Sequence, residues 1–179
     1  GVAWNAPASL GTDALSITGN ASYFCARRPT PAGAGAGVRV TCWGEGLLTP
    51  TDVPGETTVE SVAIAGEGHV IVRRSDGTVG AYATPSSGGV MAGFGALVAV
   101  PLPPVDAIIA DHTLCAVRSS DKRIVCAGFR GHASAPVGQL VEIVGLPEAD
   151  PPVELSTTGS HTNYGLDTTC ARTLSGKAF

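Results

Sequence analysis

The chain repeats itself. Four short alternating runs with strand character, Leu15–Thr18, Val62–Ala65, Asp106–Ile109 and Val153–Ser156, recur along it, and their equivalent residues Ile17, Ile64, Ile109 and Leu155 are 47, 45 and 46 residues apart. A second run follows each one: Tyr23–Arg27, His69–Arg73, Thr113–Val117 and Thr168–Arg172. Turn residues come next, Ser75-Asp76-Gly77 being the strongest hairpin signal, with Ser119–Lys122 and Ser175-Gly176 at the same point of the other units. In the first unit this point carries Pro29 to Gly37, a Gly/Ala/Pro insertion that reads as a flexible surface loop. A third run then returns as Val38–Gly44, Thr78–Tyr82 and Arg123–Gly128, and Val2–Asn5 matches it; Trp4, Trp43 and Tyr82 are spaced 39 residues apart.

Each unit therefore holds three strands and a loop-rich stretch with room for a fourth. A unit of this size cannot bury both faces of its sheet alone and must stack on its neighbours. The expected fold is all-β, a β-propeller built of about three complete blades plus partial ones. An irregular β-sandwich is the alternative. The units read as 1–10 (the end of a preceding blade), 11–56, 57–103, 104–150 and an incomplete 151–179, all within one partial domain.

Composition agrees with a turn-rich β chain. Gly and Pro number 24 and 13 of 179 residues, and only 15% of residues are charged, against about 25% in an average domain. With 11 Lys+Arg against 15 Asp+Glu, and basic residues in pairs but never in runs, the cations needed to grip a phosphate backbone are missing. Nucleic acid is not an expected partner. No apolar stretch approaches the ~20 residues that span a bilayer; Ala96–Val100 stops at Pro101.

The pattern Gly-x-x-His-Thr-Cys-Ala-Leu, turn, Asp-Gly-x-Val-x-Cys-Trp-Gly is carried here by Gly66–His69, Ser75–Val79, Cys42-Trp43-Gly44 and Asp111–Ala116. It resembles the repeat of the regulator of chromosome condensation propellers, in the cysteine-rich variety of secreted bacterial proteins and crinkly-type plant receptor ectodomains. Departures are plain: the second unit lacks both cysteines, the third has Ala127 in place of Trp, and the fourth carries an insertion near Gly159–Asp167. The resemblance implies seven blades, whereas 179 residues hold four repeat lengths. The chain begins inside a third strand at Val2 and ends at Lys177-Ala178-Phe179, where a Cys-Trp-Gly is due. It reads as part of a longer propeller.

Five cysteines fall on two equivalent positions: Cys25, Cys115 and Cys170 on the second strand, Cys42 and Cys126 on the third. The second unit is an internal control, because Ile71 and Ala81 replace both positions together, as expected of a bonded pair. The expected bridges are Cys25–Cys42 and Cys115–Cys126, with Cys170 unpaired within this chain because its partner lies beyond Phe179. Buried free thiols are the alternative. Bridges imply an oxidising compartment, hence a secreted or cell-surface protein. Asn20-Ala21-Ser22 adds an acceptor for N-glycosylation ahead of the second strand.

Other chemistry has simpler explanations. His69, His112 and His161 sit at similar places before the second strands, where a repeat-encoded turn residue accounts for them better than zinc. No nucleophile elbow or phosphate loop is present, and Gly33–Gly37 lacks the Lys-Ser/Thr and the following helix. Glu142 and Glu148 flank Pro and Gly and read as solvated loop positions, while Asp76 and Asp121 read as turn formers. Arg27, Arg28, Arg73, Arg74, Arg118 and Arg172 recur after the second strands, either as a positive rim for a partner or as charges guarding strand ends.

The expected function is a non-catalytic extracellular binding or scaffold module, without cofactor, catalytic residue or metal. It presents the loops Ala32–Gly37, Ala83–Leu97, Gly131–Pro136 and Thr157–Asp167 to a protein or glycan partner, as part of a larger assembly. The alternatives are an intracellular propeller that exchanges guanine nucleotides or binds chromatin, and a carbohydrate-active propeller enzyme. The first requires free thiols, the second convergent carboxylates.

Overall fold

The computed structural model describes residues 13–20, 22–33, 35–44, 47–65, 69–83, 94, 97–111, 113–128, 140–158 and 168–179. These residues form strands, turns and bends, and no helix among them is long and apolar enough to cross a membrane.

Three four-stranded antiparallel sheets follow one another along the chain. The first contains β1 (Ser16–Gly19), β2 (Tyr23–Pro29), β3 (Val38–Gly44) and β4 (Leu47–Asp52); the second β5 (Val59–Ala65), β6 (His69–Arg74), β7 (Val79–Ala83) and β8 (Leu97–Ala99). The third contains β9 (Val105–Ala110), β10 (Thr113–Arg118), β11 (Ile124–Gly128) and β12 (Leu140–Glu142). In each sheet the strands pair in chain order, a simple meander. β13 (Pro152–Thr158) and β14 (Thr168–Thr173) form a two-stranded sheet, and Ala178 bridges back onto Arg172. The loop-rich stretches of the first three units thus contain short fourth strands, one of which includes Glu142; that residue is not in a loop.

Alternation decides which side chain meets which sheet. Tyr23, Cys25, Val40 and Cys42 of the first sheet pack with Ile64, Val70, Val72 and Tyr82 of the second. The opposite face of the second sheet, with Ala63, Ile71, Val79 and Ala81, packs with Ala110, Leu114, Ala116 and Val125 of the third. The far face of the third, with Cys115, Val117, Ile124 and Cys126, meets Leu155 and Ala171 of the two-stranded sheet. The central strands of the second and third sheets are apolar on both sides because each side has a sheet to cover it. The first sheet's other face carries Ala26 with Phe24 stacked on Trp43, ring centroids 5.9 Å apart.

Backbone ties join neighbouring sheets. The Val38 N–H donates to Thr57 O at 2.8 Å, on the approach to β5, and the Val105 N–H donates to Gly77 O at 2.9 Å. Gly77 is needed twice over. Its φ of +79° suits the hairpin turn, where Asp76 Oδ1 accepts the Thr78 N–H at 2.9 Å, and a Cβ would sit 3.1 Å from the backbone N and O of Val105. In the third sheet the same place in the hairpin is held by Lys122 at φ 60°, the one non-glycine residue with positive φ among the described residues.

Candidate functional site

The cysteines sit at one repeated place in the meander. Cys25 lies opposite Cys42, and Cys115 opposite Cys126. Both are bridged, with S–S distances of 2.12 and 2.14 Å and Cα atoms 4.1 Å apart. The neighbouring hydrogen bonds explain why this position is the suitable one. Thr30 N–H donates to Gly37 O at 3.0 Å and Arg118 N–H to Arg123 O at 2.8 Å. Counting inward by twos from either pair places both bridges at non-hydrogen-bonded positions, where opposing side chains are closest. The second sheet has Ile71 opposite Ala81 at this place. In the two-stranded sheet the place is taken by Cys170, opposite Ser156 on β13, free and exposed. Two bridges of this kind point to an oxidising, extracellular-type environment.

The recurring arginines form no free positive rim. The Arg27 guanidinium donates to Val59 O of the next sheet at 3.0 Å. Arg28 pairs with Asp13 at 2.9 Å, Arg73 with Glu60 at 2.7 Å, and Arg172 with Glu154 at 2.7 Å. Arg118 pairs with Asp121 and Glu142. Asp76 and Asp121 act as turn formers through the N–H groups of Thr78 and Arg123, at 2.9 and 3.2 Å.

Arg74 joins a buried polar network that the linear pattern does not reveal. Glu56, 4% exposed, accepts hydrogen bonds from the Arg74 guanidinium and, at 2.6 Å, from the Tyr82 hydroxyl. Burial, then the hydrogen bond to the Glu56 carboxylate, pushes the Tyr82 phenol up to about 12; the bond to Glu56 also raises Arg74. Register supplies the counterpart in the third sheet, where Ala127 takes the place of Tyr82 and Leu102 that of Glu56. Carboxylate and phenol are lost together, and Leu102 packs apolar between the second and third sheets. Only this comparison between units could have disclosed the network, since Glu56 and Tyr82 are 26 residues apart in sequence.

A cleft of about 510 Å³ lies between the β10–β11 turn, the segment after β12 and Pro151-Pro152. Arg123 crosses it, holding Glu142 and, at 2.9 Å, Glu148. Ile143 and Val144 stand on its wall, 41% and 83% exposed. Glu142 is held below its ordinary range by Arg123 and Arg118, and Arg118 pulls Asp121 down to about 2. Asp76, Asp106 and Asp150 are likewise lowered, by hydrogen bonds from Thr78, Lys122 and Ser175. These carboxylates stay ionised and suit ion pairing better than proton donation.

Asn20 closes the β1–β2 turn. Its Oδ1 accepts the N–H groups of Ser22 and Tyr23, both at 2.9 Å. His69 opens β6 opposite Ala65 and Ala83. His112, His161, Val2–Asn5, Gly66–Gly68 and the loop residues 84–93, 131–136 and 159–167 lie outside the described residues. Among the described residues no three His, Cys, Asp or Glu side chains are grouped to hold a metal ion.

No protein-family model matches the chain, and no curated protein matches it significantly.

Proposed function

We propose that the chain is a run of β-propeller blades, of the cysteine-rich kind that its repeat resembles, and that it serves as a non-catalytic binding scaffold in an extracellular protein. The observation that carries this reading is the sequence of three meanders, each packing one face on the sheet before or after it, with the bridged position repeated at the same register in the first and third. A sandwich closes a core between two sheets; here each successive interface is a new core, which is what radial stacking demands.

A rigid scaffold of this kind contributes loops and clefts, and chemistry is not required of it. The cleft at Arg123 offers two exposed apolar side chains beside ion-paired carboxylates, a lining suited to a protein or glycan partner. Panels of extracellular protein domains and of glycans, probed with the secreted chain and with Val144→Asp, provide the test. A ligand bound by the parent and lost in V144D supports the reading. Turnover of any glycan in the panel overturns it, and so does small-angle scattering that fits a closed two-sheet sandwich.

A further inference from the structure

We propose that Asn20 is an N-glycosylation site of the folded chain; this rests on the extracellular reading above. Asn20-Ala21-Ser22 has the acceptor pattern, and the structure adds what the tripeptide alone does not. Asn20 stands just past the end of β1, outside both strands of its hairpin. Its backbone N–H donates to Tyr23 O at 2.9 Å, and its Oδ1 takes the N–H groups of Ser22 and Tyr23. A carboxamide is planar, with oxygen and nitrogen on opposite sides. Committing Oδ1 to the turn therefore aims Nδ2, the atom that is modified, away from the backbone. Among the described residues Nδ2 has no hydrogen-bond partner, so attaching a sugar breaks no bond of the turn. Asn20 and Ser22 are both partly exposed.

The modification is a substitution at a sugar carbon. Nδ2 forms a bond to the anomeric carbon of a lipid-diphosphate-linked oligosaccharide, the bond from that carbon to the phosphate oxygen breaks, and the lipid diphosphate leaves. Nδ2 gives up one proton, and no oxidant is consumed. The product keeps the carboxamide oxygen and with it both turn hydrogen bonds, so the glycan projects from the turn while the hairpin stays intact.

The chain is secreted from eukaryotic cells behind a cleavable signal peptide, alongside Asn20→Asp and Ser22→Ala. Asn20→Asp retains an oxygen acceptor for the turn and lacks the amide nitrogen; Ser22→Ala retains the backbone N–H and lacks the hydroxyl. Peptide mass mapping before and after glycan release by a peptide amidase reads the occupancy of residue 20, and thiol counting reads the bridges on the same sample. Glycan on the parent and loss of it in both variants is the expected result. An unmodified Asn20 in a product with both bridges formed overturns the site and leaves the compartment reading standing. Glycan on Asn20 with Cys25, Cys42, Cys115 and Cys126 all reduced does the reverse.

Discussion

Ile71 and Ala81 face each other across β6 and β7 at the register that the first and third sheets fill with a disulfide. Ile71 is fully buried between the second and third sheets, so the second unit replaces a covalent link by packing. The backbone geometry is shared: Arg74 N–H donates to Thr78 O at 2.9 Å, which makes Ile71–Ala81 a non-hydrogen-bonded pair too.

It follows that Ile71→Cys with Ala81→Cys forms a third bridge in an oxidising host. The oxidised form should exceed the reduced form of the same variant by about 2–3 kcal/mol in denaturant unfolding, the chain-entropy value for a loop this short. Comparing redox forms of one variant cancels the lost Ile71 packing. Two free thiols at these positions in the folded, air-oxidised protein would refute the assigned register.

Removing the first native bridge by Cys25→Ala with Cys42→Ala should cost about 3 kcal/mol, because it frees a loop of 17 residues between buried strands. The single Cys170→Ser change, at an exposed free thiol, should leave stability within about 0.5 kcal/mol of the parent.

Tyr82→Phe leaves the Glu56 carboxylate with one hydroxyl fewer in a buried site, at a cost of about 1.5–3 kcal/mol. Glu56→Leu costs at least as much, since Arg74 and Tyr82 both lose the carboxylate and keep only longer bonds, at 3.3 Å, to Thr78 and Pro54. The third sheet, with Leu102 and Ala127, shows that an apolar solution works when both partners change. A double-mutant cycle between Glu56→Leu and Tyr82→Phe should therefore show coupling of about 1 kcal/mol or more; additive losses would contradict the network.

Alkaline titration tests the same contact from the proton side. The Tyr82 phenol is raised in the folded protein to about 12, above its ordinary 10. A raised phenol binds its proton more tightly folded than unfolded, so its contribution is complete below pH 10 and is lost as pH rises through about 12. Phenolate absorbance should show a component that ionises near pH 12 and is absent in Tyr82→Phe.

Gly77→Ala meets two obstacles, a positive φ and the Val105 backbone 3.1 Å from the new Cβ, whereas Gly55, φ +75°, has nothing within 4 Å. Thermal unfolding should place Gly77→Ala lowest, with Gly55→Ala losing only the roughly 1–2 kcal/mol of left-handed strain. Equal losses would mean that the Gly77–Val105 contact between sheets is not formed.

Much of the fold is written locally. Period-two alternation, Asp-Gly turns and cysteines that come and go in pairs are each encoded within a few residues of the strands they shape. For that reason the three-strand units and both bridges could be read from the linear order. The fourth strands could not: β8 and β12 are three residues each, too short to show a period, and β4, Leu-Leu-Thr-Pro-Thr-Asp, is interrupted by Pro50.

The charge pattern required three dimensions. Arginines after each second strand looked alike in the chain, yet Arg27 caps a carbonyl of the next sheet, Arg28 holds Asp13, and Arg74 holds the buried Glu56. Nor did the linear order separate Glu142, paired in a strand, from a solvated loop carboxylate. Hydrogen-bonded ladders arise from neighbours along the chain, and so leave their mark in residue order. Ion pairs such as Arg73–Glu60, Arg118–Glu142 and Arg172–Glu154 join strands of one sheet through side chains that residue order does not aim at each other, and the Arg27 bond to Val59 O emerges only once two sheets have packed.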